Sequence, residues 1–162
     1  MKKTFCLIAL LIFLCSLACA EPFRVYDSAE LFSEEEEQQI ENRILEFRKE
    51  NKIDFAVLTT DDFIAKNQQD VIAALFYRSL DLGIGKDKDG AVFYIDNHDG
   101  LGFVLPQGNV LVNEIMTAID DVRYISNECF PYFSEWRFSE GVLHGIELVQ
   151  NMIDKYWEEQ LN

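Results

Sequence analysis

The segment from Ile53 to Thr59 constrains the fold more than any other stretch of this chain. Phe55, Ala56, Val57 and Leu58 run together without polar alternation. Successive side chains of a strand point to opposite faces, so a strand with one wet face alternates apolar and polar residues. A strand without alternation needs cover on both sides. Helical patterns are available on either side of it in sequence. Ser33-Glu34-Glu35-Glu36 reads as a helix start, with Ser33 as cap and Glu36 placed to reach back in a capping box. The run Glu34 to Glu37 suits the positive end of the helix dipole. It also offers an acidic docking patch, but capping is the simpler account. Ile40, Ile44 and Phe47 mark one face of this helix, which is expected to end near Asn51. Val71 to Leu82 reads as a second helix that buries Leu75, Phe76 and Leu80.

Gly83 to Gly90 reads as a loop. Ala91–Asp96 and Leu101–Pro106 read as strands, with Asp99-Gly100 between them as a hairpin signal. A further helix is expected from about Val110 to Glu128. Pro131 is expected to interrupt the chain there, within an aromatic stretch holding Phe130, Tyr132, Phe133, Trp136 and Phe138. A last helix is expected from near Ser139, where Val142, Ile146, Val149, Ile153 and Tyr156 keep a helical period. Helices before and after strands point to an α/β fold, a three-layer α/β/α sandwich. No repeat or linker divides it.

The first twenty residues are expected to stand apart. Lys2 and Lys3 precede an almost unbroken apolar run, Phe5 to Leu17, and Ala18-Cys19-Ala20 offers a small-residue cleavage site. That is the layout of a secretory signal peptide, over residues 1–20, leaving a single domain over 21–162. An uncleaved anchor is the alternative, disfavoured because the apolar run is short for a span. A lipid on Cys19 is another, disfavoured by Ser16 where a Leu is wanted. No later segment reads as transmembrane. The expected location is periplasmic or extracellular.

Cleavage removes two lysines and no acid, so the formal charge of −15 falls to −17. A chain of that sign repels phosphate backbones and anionic lipid surfaces, which excludes nucleic-acid binding. It also removes Cys6, Cys15 and Cys19. Cys129 alone remains, so no intramolecular disulfide is available and the fold rests on its core. Cys129 reads as a buried structural thiol rather than a nucleophile.

Chemical motifs are few. Gly83-Ile84-Gly85-Lys86 resembles a phosphate loop, but it follows a helix, precedes a strand and has Asp87 after the lysine. Asp87 and Asp89 have calcium-loop spacing without the third acid or the closing glutamate of an EF-hand. His98 and His144 have no ligand partner at helical spacing, which argues against zinc. No Gly-x-Ser-x-Gly elbow is present. Carboxylates near strand ends remain: Asp61, Asp62 and Asp96, with Asp27 ahead of the first helix. Ligands of open α/β sheets gather beyond the carboxyl ends of strands. If these four converged, they would suit Ca²⁺ or Mg²⁺. Separate roles as caps and turn residues are the plainer alternative.

The same residues resemble a family pattern. Val25-Tyr26-Asp27-Ser28-Ala29-Glu30-Leu31-Phe32-Ser33 is similar to the opening of a TPM domain. Leu82-Gly83-Ile84-Gly85-Lys86 with Gly90-Ala91-Val92-Phe93 resembles that family's glycine segment and following strand. Pro131-Tyr132-Phe133, Phe138, Gly141 and Gly145 match its C-terminal spacing. The resemblance covers about Val25 to Val149. It implies a mixed central sheet between the helices. It also implies one of three roles: an acid phosphatase dependent on divalent cations, a calcium-binding module without turnover, or an accessory factor for membrane complexes. One departure bears on the choice. After the hairpin the family carries Gly-x-Gly-x-Glu and then an Asp. Here Gly108 takes the first position, but Val110, Val112 and Thr117 or Ala118 fall at the others. Glu114, Asp120 and Asp121 lie close in sequence but would face other ways on a helix. The expected function is therefore an exported, non-catalytic accessory domain that binds an envelope or membrane protein.

Overall fold

The computed structural model describes residues 23–62, 64–65, 67–98 and 100–161. The expected leader, residues 1–20, lies outside them, as does Asp99 of the hairpin turn.

The unalternated run becomes β2, Asp54–Thr60, and it lies inside the sheet. Its neighbours are β1, Val25–Asp27, and β3, Gly90–Asp96, both parallel to it. β4, Leu101–Gln107, returns antiparallel along β3, so the sheet is mixed, in the order β1-β2-β3-β4. Every residue of β3 is buried. Register assigns the faces. Phe55, Val57, Phe93, Ile95 and Val104 face the main core. That core is closed by α1, Glu34–Asn51, α3, Ile119–Ser134, and α4, Phe138–Gln160. Ala56, Val92 and Tyr94 face the other way, under α2, Gln69–Ser79. The result is the expected α/β sandwich, with unequal outer layers.

α1 begins as its sequence dictates. The Ser33 hydroxyl accepts the Glu36 amide at 3.3 Å, and the Glu36 carboxylate accepts the Ser33 amide at 2.9 Å. Ile40, Ile44 and Phe47 form its buried stripe.

Three expectations are corrected. In α2 the buried stripe is Ala73 and Tyr77, while Leu75 is 58 % exposed and Leu80 only half-buried. Helical phase decides this: Ala73 and Tyr77, four residues apart, share the face over the sheet, and Tyr77 reaches Gly90, where a Cβ would stand 1.7 Å from its hydroxyl oxygen. The expected helix from Val110 is broken. Leu111–Ile115 forms a π-helical turn closed by the Met116 amide on the Leu111 carbonyl at 2.7 Å. This register buries both Leu111 and Met116, five residues apart. α3 then restarts after an extended Ala118, whose amide is taken by the Asp121 carboxylate at 3.0 Å. Finally, Pro131 does not interrupt the chain but lies inside α3. It sits on the exposed side of the last turn, where a missing donor costs one backbone bond.

Candidate functional site

The four sequence-selected carboxylates all lie at the carboxyl ends of β1, β2 and β3, but register separates them. Asp27 pairs with Thr59, and Thr59 with Ile95, on the face beneath α1. The Thr59 hydroxyl donates to Asp27 Oδ1, and the Phe32 amide donates to its Oδ2 at 2.8 Å. Asp27 thus ties the 28–32 loop to the sheet. Asp96 pairs with Thr60, on the α2 face. Gln69 donates to Asp96 Oδ2 at 2.8 Å, and the His98 amide donates to Oδ1 at 3.0 Å. Asp61 accepts from the Asn97 side chain at 2.9 Å. Asp62 is exposed, and its amide donates to the Thr60 hydroxyl at 3.1 Å.

Tyr94 points from β3 into the same α2 face, fully buried, and its hydroxyl has no hydrogen-bond partner among the described residues. Burial pushes this phenol up to about 12, with Asp96 and Asp62 adding to the rise. It therefore stays protonated at neutral pH.

A hard cation needs several oxygens converging on one point. Among the described residues, no group of three His, Cys, Asp or Glu side chains is close enough to hold one. Glu114, Asp120 and Asp121 make no such group either. Glu114 accepts from Tyr156, Asp120 pairs with Arg123 at 3.5 Å, and Asp121 caps α3. Among the described residues the carboxylates do not converge as the donor set of a Ca²⁺ or Mg²⁺ centre.

The remaining motifs have structural roles. Gly83 donates its amide to Asp54 Oδ2 at 3.1 Å, and Ile84 bridges Asp89, so the glycine loop folds on itself. His144 lies against the Tyr132 ring and 3.8 Å from Glu147. Cys129 is fully buried, and burial pushes its thiol up to about 12, with Glu128 adding to the effect. A thiolate is the reactive form, so this cysteine is inert at neutral pH.

Two features escaped the sequence reading. One is a buried charge cluster: Arg24 Nε lies 2.8 Å from Asp54 Oδ1, with Glu41 3.8 Å from the guanidinium. Burial raises the Glu41 carboxyl above its ordinary value, against the pull of the Arg24 amide and charge. The other is an aromatic cleft of about 260 Å³ where α3 turns into α4. The aromatic stretch flagged it, but only the hairpin's Asn97 and Gly100 complete it.

None of the curated proteins compared matches the chain. Solved structures do. The N-terminal domain of a protein from P. gingivalis is similar with a TM-score of 0.66 and 22 % identity, over 81 % of this chain and 82 % of that one. The BA42 protein from the psychrophilic bacterium Bizionia argentinensis is similar with a TM-score of 0.64 and 22 % identity, over 78 % and 84 %. The N-terminal domain of the cg2496 protein from Corynebacterium glutamicum follows at 0.56 and 11 %, over 80 % and 78 %. At these identities the likeness establishes the fold. Residues 25–152 match the family profile described as the TPM domain, and the chain belongs to the TPM domain family.

Proposed function

We propose that this protein is exported and serves at the cell envelope as an accessory domain that docks on an envelope or membrane protein, without turnover of its own. The observation that carries this reading is the engagement of the crest carboxylates. Asp27 uses one oxygen on Thr59 of β2 and the other on the Phe32 amide of the loop, Asp96 uses both to hold Gln69 and the turn after β3, and Asp61 holds Asn97. Phosphoryl transfer needs cationic stabilisation of the transferred group, from a metal or from Arg and Lys. Asp27 and Asp96 lie on opposite faces of the sheet. A domain at −17 without a bound metal repels a phosphate dianion. Among the described residues no helix is long and apolar enough to cross a membrane.

Two measurements test the reading. Hydrolysis of an aryl phosphate with millimolar Mg²⁺ or Ca²⁺ is expected to be no faster than with the Asp27→Ala or Asp62→Asn protein. Metal-dependent turnover that a folded Asp62→Asn or Asp27→Ala protein loses would restore the phosphatase. Intact mass of the exported protein is expected to begin at Glu21. A product beginning at a lipid-bearing Cys19 would replace the soluble form with an anchored one.

A further inference from the structure

Trp136 is 76 % exposed and its backbone is left-handed, with φ of 62°. The reason is local. α3 ends with the Trp136 amide on the Phe133 carbonyl and the Arg137 amide on the Tyr132 carbonyl, both near 3 Å. This paired closure places one left-handed residue just past the helix, a position that glycine fills without cost. A bulky aromatic there bears about 1–2 kcal/mol of strain.

The strained residue forms one wall of the aromatic cleft. Phe130, 54 % exposed, forms another, and Phe133 and Phe138 lie stacked beneath, ring centres 5.8 Å apart. Trp136 meets Phe138 edge-on at 5.8 Å. Among the described residues no charged side chain lines the cleft. Carboxylates are bonded to residues on or next to its lining. Asn97, on the rim, donates to exposed Asp61. Ser139, next to Phe138, donates at 2.5 Å to Glu36 of the four-glutamate run. The neighbouring cation, Arg137, is held by Glu135 at 3.0 Å and Glu140 at 2.5 Å.

We propose that this cleft is a docking site for a cationic segment of a partner protein, which inserts one apolar side chain between Trp136 and Phe130. The proposal rests on the docking reading above and deepens it. The cleft's volume of about 260 Å³ falls below the range of about 300–1,000 Å³ usual for small-molecule sites, and suits a side-chain anchor. Exposed tryptophan beside a packed aromatic floor is the usual make-up of an interface hot spot. The acidic surround selects a basic partner and repels anionic lipid. It also opposes a second copy of this strongly acidic chain.

The test uses the whole exported protein and three tryptophan-free peptides at 0.15 M salt: Lys/Leu, charge-matched Lys/Ser, and Glu/Leu. Binding is read from tryptophan fluorescence and by calorimetry. The Lys/Leu peptide is expected to bind at least about ten-fold more tightly than either control. Trp136→Ser and Phe130→Ser are expected to weaken it by about thirty-fold, the loss of one hot-spot contact. Trp157→Ser, at an exposed site on α4, is expected to leave it unchanged. Equal binding of the two Lys peptides overturns the proposal, as does indifference to Trp136→Ser. So does a stronger response to neutral phosphatidylcholine vesicles, or a concentration-dependent dimer that Trp136→Ser dissolves. Failure here leaves an accessory domain with another docking face. Metal-dependent hydrolysis removes the accessory reading whatever the peptides do.

Discussion

Replacing Arg24 by methionine is expected to lower the unfolding free energy by about 3–5 kcal/mol at pH 7, a large share of the stability of an ordinary domain. Arg24 is 1 % exposed, and it joins three parts of the fold. Its amide donates to Glu41 of α1 at 2.8 Å, and its guanidinium to Asp54 at the start of β2 at 2.8 Å. Asp54 in turn receives the amides of Phe55 and Gly83, both at 3.1 Å, and lies 3.6 Å from Arg48 Nε. Methionine fills similar volume but leaves two buried carboxylates without their central cation. The loss comes from that uncompensated charge rather than from packing. Two further results separate these causes. Glu41→Gln added to Arg24→Met should recover part of the loss, because it removes one of the stranded charges. Lowering the pH should also narrow the gap between variant and wild type. A carboxyl whose folded pKa is raised binds its proton in the folded state first, so stability rises as pH falls through that raised value. The gain is complete once pH reaches the ordinary carboxylate value. Urea unfolding at pH 7 and pH 5 reads both effects. A loss under 1 kcal/mol, or one independent of pH, would mean that the cluster is solvated and the pairing incidental.

Nothing in the sequence pairs Arg24 with Glu41 and Asp54. They lie 17 and 30 residues apart; the parallel pairing of β1 with β2 brings Asp54 to Arg24, and the packing of α1 on β1 brings Glu41. The elements that were legible share a local cause. Ser33 and Glu36 read as a capping box because both halves lie within one turn. Phe55 to Leu58 read as a doubly covered strand because the absence of alternation is itself the signal. The errors came where distant packing overrode local pattern. Leu75 looks more like a core residue than Ala73, but the face that α2 turns to the sheet carries Ala73 and Tyr77, and Tyr77 reaches across to Gly90. Pro131 reads as an interruption after a helix ending near Glu128, yet it occupies an exposed position in the last turn of α3.

The candidate site shows the same division. Its carboxylates were placed correctly at strand ends by the sequence. Their mutual geometry depends on register, and a one-residue step in register reverses the face. Asp27 aligns with Thr59 and Asp96 with Thr60, so the two point to opposite sides of the sheet. The aromatic cleft was half legible. Five aromatic residues within nine positions announce a feature, but whether they form core or surface depends on the helix ending between them. Phe133 and Phe138 turn inward; Phe130 and Trp136 do not.

Gly145→Leu is expected to be the most disruptive single change on α4, with a loss of at least about 3 kcal/mol, and even Gly145→Ala is expected to destabilise. Alanine is the better helix former by about 1 kcal/mol, so an unconstrained site would gain from it. Here an added Cβ would lie 2.2 Å from Phe93 Cε2 and 3.2 Å from Cys129 Sγ. Phe93 is fully buried in the central strand β3, with Phe55 and Phe133 against its ring, and has nowhere to move. One turn earlier, a Cβ on Gly141 would stand 2.3 Å from Phe133 Cε1. The two glycines thus form a groove along α4 into which aromatic rings from β3 and α3 fit. This is a physical reason for the glycine spacing that the family pattern carries. Overpacking of this kind costs about 1–3 kcal/mol, and more when the side chain must force the helix outward. The strain should be relieved in a specific way. Phe93→Leu alone loses stability, but Phe93→Leu combined with Gly145→Ala should be more stable than the sum of the two single losses, because the smaller side chain vacates the contested space. Denaturant unfolding of the four proteins measures that coupling. Simple additivity would show that α4 shifts freely and that Gly145 is not what sets its distance from the sheet.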